Sequence, residues 1–238
     1  MRLFSLDSPL MQALNKVADL LWLNVLTLIC CLPIVTIGAS LTAMNYMALK
    51  IARNEECYIT KGFLKSFKEN FKQATVIWLI LLVIIAVLAA DYLLVNGNPE
   101  TALEKILWGV IGAMVLMVAS TTLYVFPVLA KFENTVSRTV KNAFMISLMQ
   151  FPKTVVMAVA YAVPPVLFFT VVPAMPLCLM FGLSLPAWIS AKLYSKFFKK
   201  LEDQILAANP PKEQEGDTED ERIFKDELDP VLVDKNSQ

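Results

Sequence analysis

The sequence predicts an all-α, polytopic membrane helix bundle of about six transmembrane helices, and three observations predict it. First, only 18% of the 238 residues are charged and 57% are hydrophobic, giving a mean hydropathy of +0.58; soluble domains carry about 25% charged residues. Second, four long runs hold no charge: 30 residues between Asp19 and Lys50, 18 between Lys72 and Asp91, 25 between Lys105 and Lys131, and 38 between Lys153 and Lys192. A spanning helix needs about 20 mostly apolar residues, so each run holds at least one span and the last is long enough for two. Third, Lys and Arg gather in alternate connectors, as the positive-inside rule requires of a multi-pass protein.

In chain order, the first span is predicted over 11–32, after Ser8 as a cap and Pro9 in the first turn; its opening turns are amphipathic and suited to a membrane surface. The second is predicted over 35–52. Between them, CCLPIVTIGAS (30–40) contains both Pro33 and Gly38. It is either the turn between two spans or a kink in one helix over 11–52, which would leave five spans. Connector 53–73 places Phe63, Leu64, Phe67 and Phe71 at helical spacing with Lys61, Lys65, Lys68 and Lys72 around them, an amphipathic elbow helix for the interface or for packing on the ends of the spans. Spans over 74–95 and 105–130 follow, joined through NGNPE (96–100). A second amphipathic elbow, 131–152, carries Val136, Val140, Phe144, Leu148 and Phe151 on one face. The last spans, 154–172 and 176–198, are separated by VVPAMP and interrupted by Pro164, Pro165, Pro173, Pro176 and Pro186. Residues 1–200 thus form the transmembrane domain. Residues 201–238 form an acidic tail whose composition cannot bury a core and predicts disorder.

Basic residues fall in 53–73, in 131–153 and at the end of the last span, whereas 96–104 and VVPAMP have none. All three basic segments and the tail are therefore expected on the cytoplasmic side, and the N-terminus joins them, with both termini inside, if 30–40 is a turn and not a kink. A shift of 80 residues aligns Ala39 with Ala119, Ser40 with Ser120, Thr42 with Thr122, Asn54 with Asn134 and Phe71 with Phe151 without a gap, which suggests a parallel internal repeat. Under that echo 35–52 enters the cytoplasm as 115–132 does, and 30–40 becomes an external turn. A single helix over 11–52 would be about 60 Å long, twice the bilayer core, unless part of it lay along the surface.

No catalytic set is present. Without any histidine, Ser-His-Asp and Cys-His nucleophiles are excluded within this chain. The four cysteines lack metal-ligand or CxxC spacing, and the seven glycines form no phosphate loop. No catalytic residue, metal or cofactor is expected, and no nucleic-acid partner. The paired Glu55 and Glu56 read as a solvated connector. Essentially no ionisable residue lies at membrane depth, where one would default to a functional hypothesis. The polar residues at depth, Asn24, Asn45, Thr42, Ser120 and Thr122, are the candidates for helix–helix or ligand contacts.

The run LLWLNVLTLICCLPIVTIGASLTAMNYMALK, followed by FLKSFKENFKQATVIW, resembles the YesL-like family of small bacterial integral membrane proteins. The likeness covers residues 10–200 and rests on Asn24, Leu32-Pro33, Thr36-x-Gly38, Ala43, Tyr46, Phe67-Lys68 and Asn70-Phe71. The family brings no established activity, cofactor or catalytic residue. Its members are often encoded beside carbohydrate transporter components and two-component regulators, which implies by association an accessory role in sugar uptake or sensing. The expectation is a non-enzymatic, multi-pass protein of a bacterial cell membrane, contacting the lipid bilayer and binding transporter or sensor proteins through its elbows and tail. The alternative is a small-solute permease or channel whose polar cavity is shared by Asn24, Asn45 and Ser120–Thr122.

Overall fold

A computed structural model describes residues 9–55, 58–94 and 102–208, and among them the only regular elements are helices. In order these are α1 (Pro9–Cys30), α2 (Ile37–Arg53), α3 (Ile59–Leu94), α4 (Ala102–Lys131), α5 (Val136–Met149), α6 (Phe151–Thr170), α7 (Met175–Phe181) and α8 (Ser184–Ala208), with 3-10 turns at Ile34–Thr36 and Val172–Ala174. Five helices are long and apolar enough to cross a membrane, and the pair Val172–Phe181 and Ser184–Gln204, bent by 56°, makes a sixth span if taken together. The chain divides into two units, 1–197 and 198–238. The packing below is that of the first; the described residues of the second are the last turns of α8. The Ser8 cap, Glu56, Cys57, the NGNPE turn and residues 209–238 lie outside the described residues.

The stretch 30–40 is a turn between two helices and not a kink. Four contacts fix the directions. Trp22 Nε1 donates to Thr60 Oγ1 (2.8 Å) and Trp78 Nε1 donates to the Ile34 carbonyl (2.9 Å), so α1 rises alongside α3 in the same sense. On α2, Gly38 lies against Ala74 and Trp78, and the Met47 thioether lies over Gly62, so α2 runs antiparallel to α3. It follows that α1 and α2 are antiparallel. The chain reverses at Cys31–Pro33 because proline disfavours helix at the residue before it and Thr36 re-enters helical geometry through a 3-10 turn.

α2 is the inner helix: Ala39, Ala43, Met44, Met47 and Ala48 are fully buried. Its far end closes on Asn54, whose left-handed backbone (φ 59°) lets the Asn54 and Glu55 N–H groups bond the Ile51 and Lys50 carbonyls, a glycine-type cap tolerated by asparagine. The first elbow does not exist as a separate helix. Residues 59–94 form one continuous α3, because nothing between Phe63 and Leu94 breaks a helix: the segment contains neither Gly nor Pro. Of its apolar face, Phe63 is fully buried and Phe67 stacks on it, whereas Leu64 is exposed. The second elbow does stand alone as α5. Extended Thr135 precedes it, and Gln150 (φ −114°, ψ 36°) ends it just before Pro152, which suits the first turn of α6.

The Tyr92 and Trp108 rings meet at nearly right angles with centroids 5.1 Å apart, while Glu69 and Gln73 share a cleft with Lys131, so α3 and α4 form an antiparallel hairpin. Beyond the α2 packing this hairpin faces outward with large apolar side chains, among them Val83, Val87, Ile106 and Leu116, and α6 does the same through Val159 and Val166. Such faces are unfavourable in water by about 25 cal/mol per Å² and suit a hydrocarbon environment. Pro127, Pro164 and Pro165 lie within α4 and α6 without ending them, contrary to the interruption expected of Pro164 and Pro165. The last expected span, 176–198, is broken at Gly182–Leu183, and here the expected interruption at Pro186 does occur. Pro186 has no N–H for the Gly182 carbonyl and its ring crowds that oxygen. α8 then continues to Ala208, past residue 201, because Leu201–Ala208 contains good helix formers and no Gly or Pro until Pro210.

On the 80-residue shift, α2 falls on the second half of α4, and α3 on α5 plus α6. The two segments differ where the sequence differs: α4 runs uninterrupted through the positions that match the 31–36 turn.

Candidate functional site

Broken helices expose backbone groups, and in an apolar setting each must find a partner. At the α7–α8 break the partner is Asn24, fully buried in the middle of α1. Its Nδ2 donates to the Leu179 carbonyl (2.8 Å), and its Oδ1 accepts from the Leu183 and Ser184 N–H groups (both 3.0 Å). One carboxamide thus satisfies the end of α7 and the start of α8 together. Gly182 belongs to the same joint, because a Cβ there would overlap the Cys178 carbonyl.

The second joint is the 31–36 turn. Thr36 Oγ1 lies within hydrogen-bonding distance of the Cys30 (2.6 Å) and Pro33 (2.8 Å) carbonyls, closing the end of α1. Trp78 bonds the Ile34 carbonyl, and Thr75 Oγ1 approaches the Val35 carbonyl at 3.5 Å. Gly38 is required by contact: a Cβ would overlap the Ala74 carbonyl and stand 2.7 Å from Trp78 Cβ. Leu32 itself is 81% exposed. Asn70 donates to the Ser66 carbonyl one turn back (3.0 Å), and Phe71 packs on the Phe67 ring with centroids 5.5 Å apart. The motif residues Leu32, Pro33, Thr36, Gly38, Asn70 and Phe71 therefore describe a turn and the helix to which it is pinned.

The other sequence candidates do not converge. Thr42 donates to the Gly38 carbonyl, Asn45 Nδ2 to Leu41, Ser120 to Met117 and Thr122 to Val118, each within its own helix. Such i−3 and i−4 bonds let a hydroxyl or amide sit in an apolar helix without an outside partner. Thr122 borders an apolar groove of about 710 Å³ between α3 and α4, with Leu88, Tyr92, Val115 and Ala119 on its walls. Asn24, Asn45 and Ser120 do not line it.

Two polar contacts were not legible in the sequence. Arg53, at the end of α2, donates from Nε to Ser195 Oγ (3.2 Å) on α8, lies 3.8 Å from a Glu55 carboxylate oxygen and is only 15% exposed. It appears in the sequence as one more connector cation. Fully buried Tyr194 sits one position before that serine, in the electrostatic reach of Arg53, Tyr124 and Tyr161. On the other side, Thr154 Oγ1 stands 2.9 Å from the Ser147 carbonyl and 3.3 Å from the hydroxyl of fully buried Tyr124, fastening the α5–α6 corner to α4. Partners 30 to 142 residues apart in sequence carry no local pattern. Cys30, Cys31 and Cys178 are half-buried free thiols.

These joints sit largely inside a recognisable segment. Residues 19–92 match the family model described as Protein of unknown function, DUF624. That is the family of YesL-like proteins, so the resemblance is supported over the second half of α1, α2 and most of α3. The matched segment contains Asn24, the whole 31–36 turn, Gly38, Asn70, Phe71 and Trp78. No curated protein and no solved structure matches the chain.

Proposed function

We propose that the chain is a non-enzymatic accessory or regulatory protein of a bacterial cell membrane that works through protein partners, in association with carbohydrate uptake or sensing. The observation that carries this reading is the use made of the polar groups at depth. Asn24, Thr36 and Trp78 hold helix joints, and Thr42, Ser120 and Thr122 bond their own helices, so these groups serve the scaffold and not a solute. Recognition is then left to surfaces, which agrees with the exposed lysines of α3 and the acidic segment after Ala208. The carbohydrate association rests on the YesL-like resemblance, which the family match supports over residues 19–92 only. Membership over residues 10–200 is part of the proposal. The antiparallel α1–α2 pair and the basic residues of α3, α5 and α8 support cytoplasmic termini.

The test is co-purification from native membranes in mild detergent, using the full chain and a chain lacking 209–238. Stoichiometric recovery of a transporter or sensor component that the shortened chain loses supports the reading. A monodisperse protein without a partner, in both forms, overturns it.

A permease or channel is the second reading, and one atom favours it: Asn45 Oδ1 is buried without a partner among the described residues. Liposome flux that disappears in Asn45→Leu while the fold survives would support it, and flux independent of Asn45 would remove that support.

A further inference from the structure

The polar residues around the α4–α5 link form a cleft of about 730 Å³ against α3. Glu69, Asn70 and Gln73 of α3 border it, with Lys131 at the end of α4, Glu133 in the link and Arg138 in the first turn of α5. Its depth is the first observation. Along α3 no charge lies between Lys72 and Asp91, and along α4 none lies between Lys105 and Lys131. The cleft therefore stands where both helices pass from charged to apolar sequence, the level at which headgroups flank a spanning helix. Its charge is the second. Two cations and two carboxylates line it, and among the described residues Glu69, Glu133 and Arg138 make no ion pair with one another. Opposite charges that share one cleft suit a ligand that itself carries both signs. The third is the start of α5, whose cap residue Thr135 borders the cleft and makes no side-chain bond to the first turn; helix starts favour anionic groups.

From these we infer that the cleft holds the headgroup of a zwitterionic phospholipid of the phosphoethanolamine type. The phosphate lies toward Arg138 and the start of α5. The primary ammonium lies toward Glu133 and Glu69, with Asn70 and Gln73 as neutral hydrogen-bond partners. The acyl chains run along the outward apolar sides of α3 and α4. A purely anionic headgroup meets two carboxylates in this cleft, and a quaternary ammonium cannot donate a hydrogen bond to them.

The experiment is native mass spectrometry of the detergent-purified full chain with equimolar palmitoyl-oleoyl phosphatidylethanolamine, phosphatidylglycerol and phosphatidylcholine. Phosphatidylethanolamine is expected to be retained in preference to both others. Arg138→Ala should weaken its retention about tenfold, as expected for loss of one charge-assisted bond. Glu133→Gln should erase the discrimination against phosphatidylcholine. Both side chains are exposed, so the fold should tolerate these changes, and thermal melts of each variant check that it does. Soluble glycerophosphoethanolamine should compete only at far higher concentration; competition at equal concentration would mean that the ligand is not a membrane lipid. Equal retention of the three lipids, a preference for phosphatidylglycerol, or folded variants with unchanged selectivity would each overturn the inference.

Discussion

Removing the Asn24 carboxamide should release the α7–α8 joint and leave the neighbouring helices standing. In the native structure it accepts two N–H groups, those of Leu183 and Ser184, and donates to one carbonyl, that of Leu179. A buried polar group left without a partner costs about 1–3 kcal/mol. Three such groups give an upper bound near 9 kcal/mol, but water entering the opened joint recovers most of it, and we take about 3 kcal/mol for Asn24→Ala. Asn24→Asp, kept protonated by its buried apolar surroundings, retains an acceptor for the N–H groups and one O–H in place of the amide donor, so only about 1 kcal/mol is expected. Hydrogen exchange of the 183–184 amides in detergent reads local opening directly. At about 1.4 kcal/mol per tenfold, Asn24→Ala should accelerate these amides about a hundredfold and Asn24→Asp about fivefold. The α2 amides, buried in the inner helix, should change little in either variant. Unchanged exchange at 183–184 in the alanine variant, or equal acceleration in the two variants, would refute the reasoning that the carboxamide bridges the break.

The other joint makes a graded prediction. Gly38→Leu must push α2 off the Ala74 carbonyl and Trp78, and overpacking of this kind costs about 1–3 kcal/mol. Trp78→Phe removes only the bond to the Ile34 carbonyl, worth about 1 kcal/mol. Melting curves in detergent should rank wild type above Trp78→Phe and Trp78→Phe above Gly38→Leu; a Gly38→Leu protein as stable as wild type contradicts the close approach. A side-specific reporter fused at Arg2 should be active in the cytoplasm, and external activity would contradict the proposed orientation.

Much of the architecture could be read from the sequence because charge is costly in hydrocarbon. The uncharged runs locate α1 to α4 and α6, and the length limit points to a reversal at 30–40. The sequence misleads where one physical signal resembles another. The change from Lys-rich to apolar sequence near Ala74 suggested two elements, yet a helix ends at a backbone break and not at a change of surroundings, and 63–94 has none. The break inside 176–198 was marked by Gly182 and Pro186, but prolines inside α4 and α6 are absorbed, so the residue type alone does not decide. Asn24 was legible as a polar residue at depth; its task was not, because its partners are backbone groups 155 or more positions away. In the sequence Arg53 carries a topology signal only, and its bond to Ser195 depends on how α8 returns to the end of α2.

The reversal at 31–36 is the point on which the joints, the inner position of α2 and the proposed orientation all depend. Spin labels at Leu14 and Tyr58, both exposed, test it by pulsed dipolar spectroscopy with the native cysteines replaced. Trp22 meets Thr60, and Leu14 lies about two turns before Trp22, roughly 12 Å at the helix rise. One distance below about 25 Å is therefore expected, allowing about 10 Å between neighbouring helix axes. A single helix through residue 53 would instead hold the labels roughly 55–60 Å apart, and a distance in that range would contradict the account.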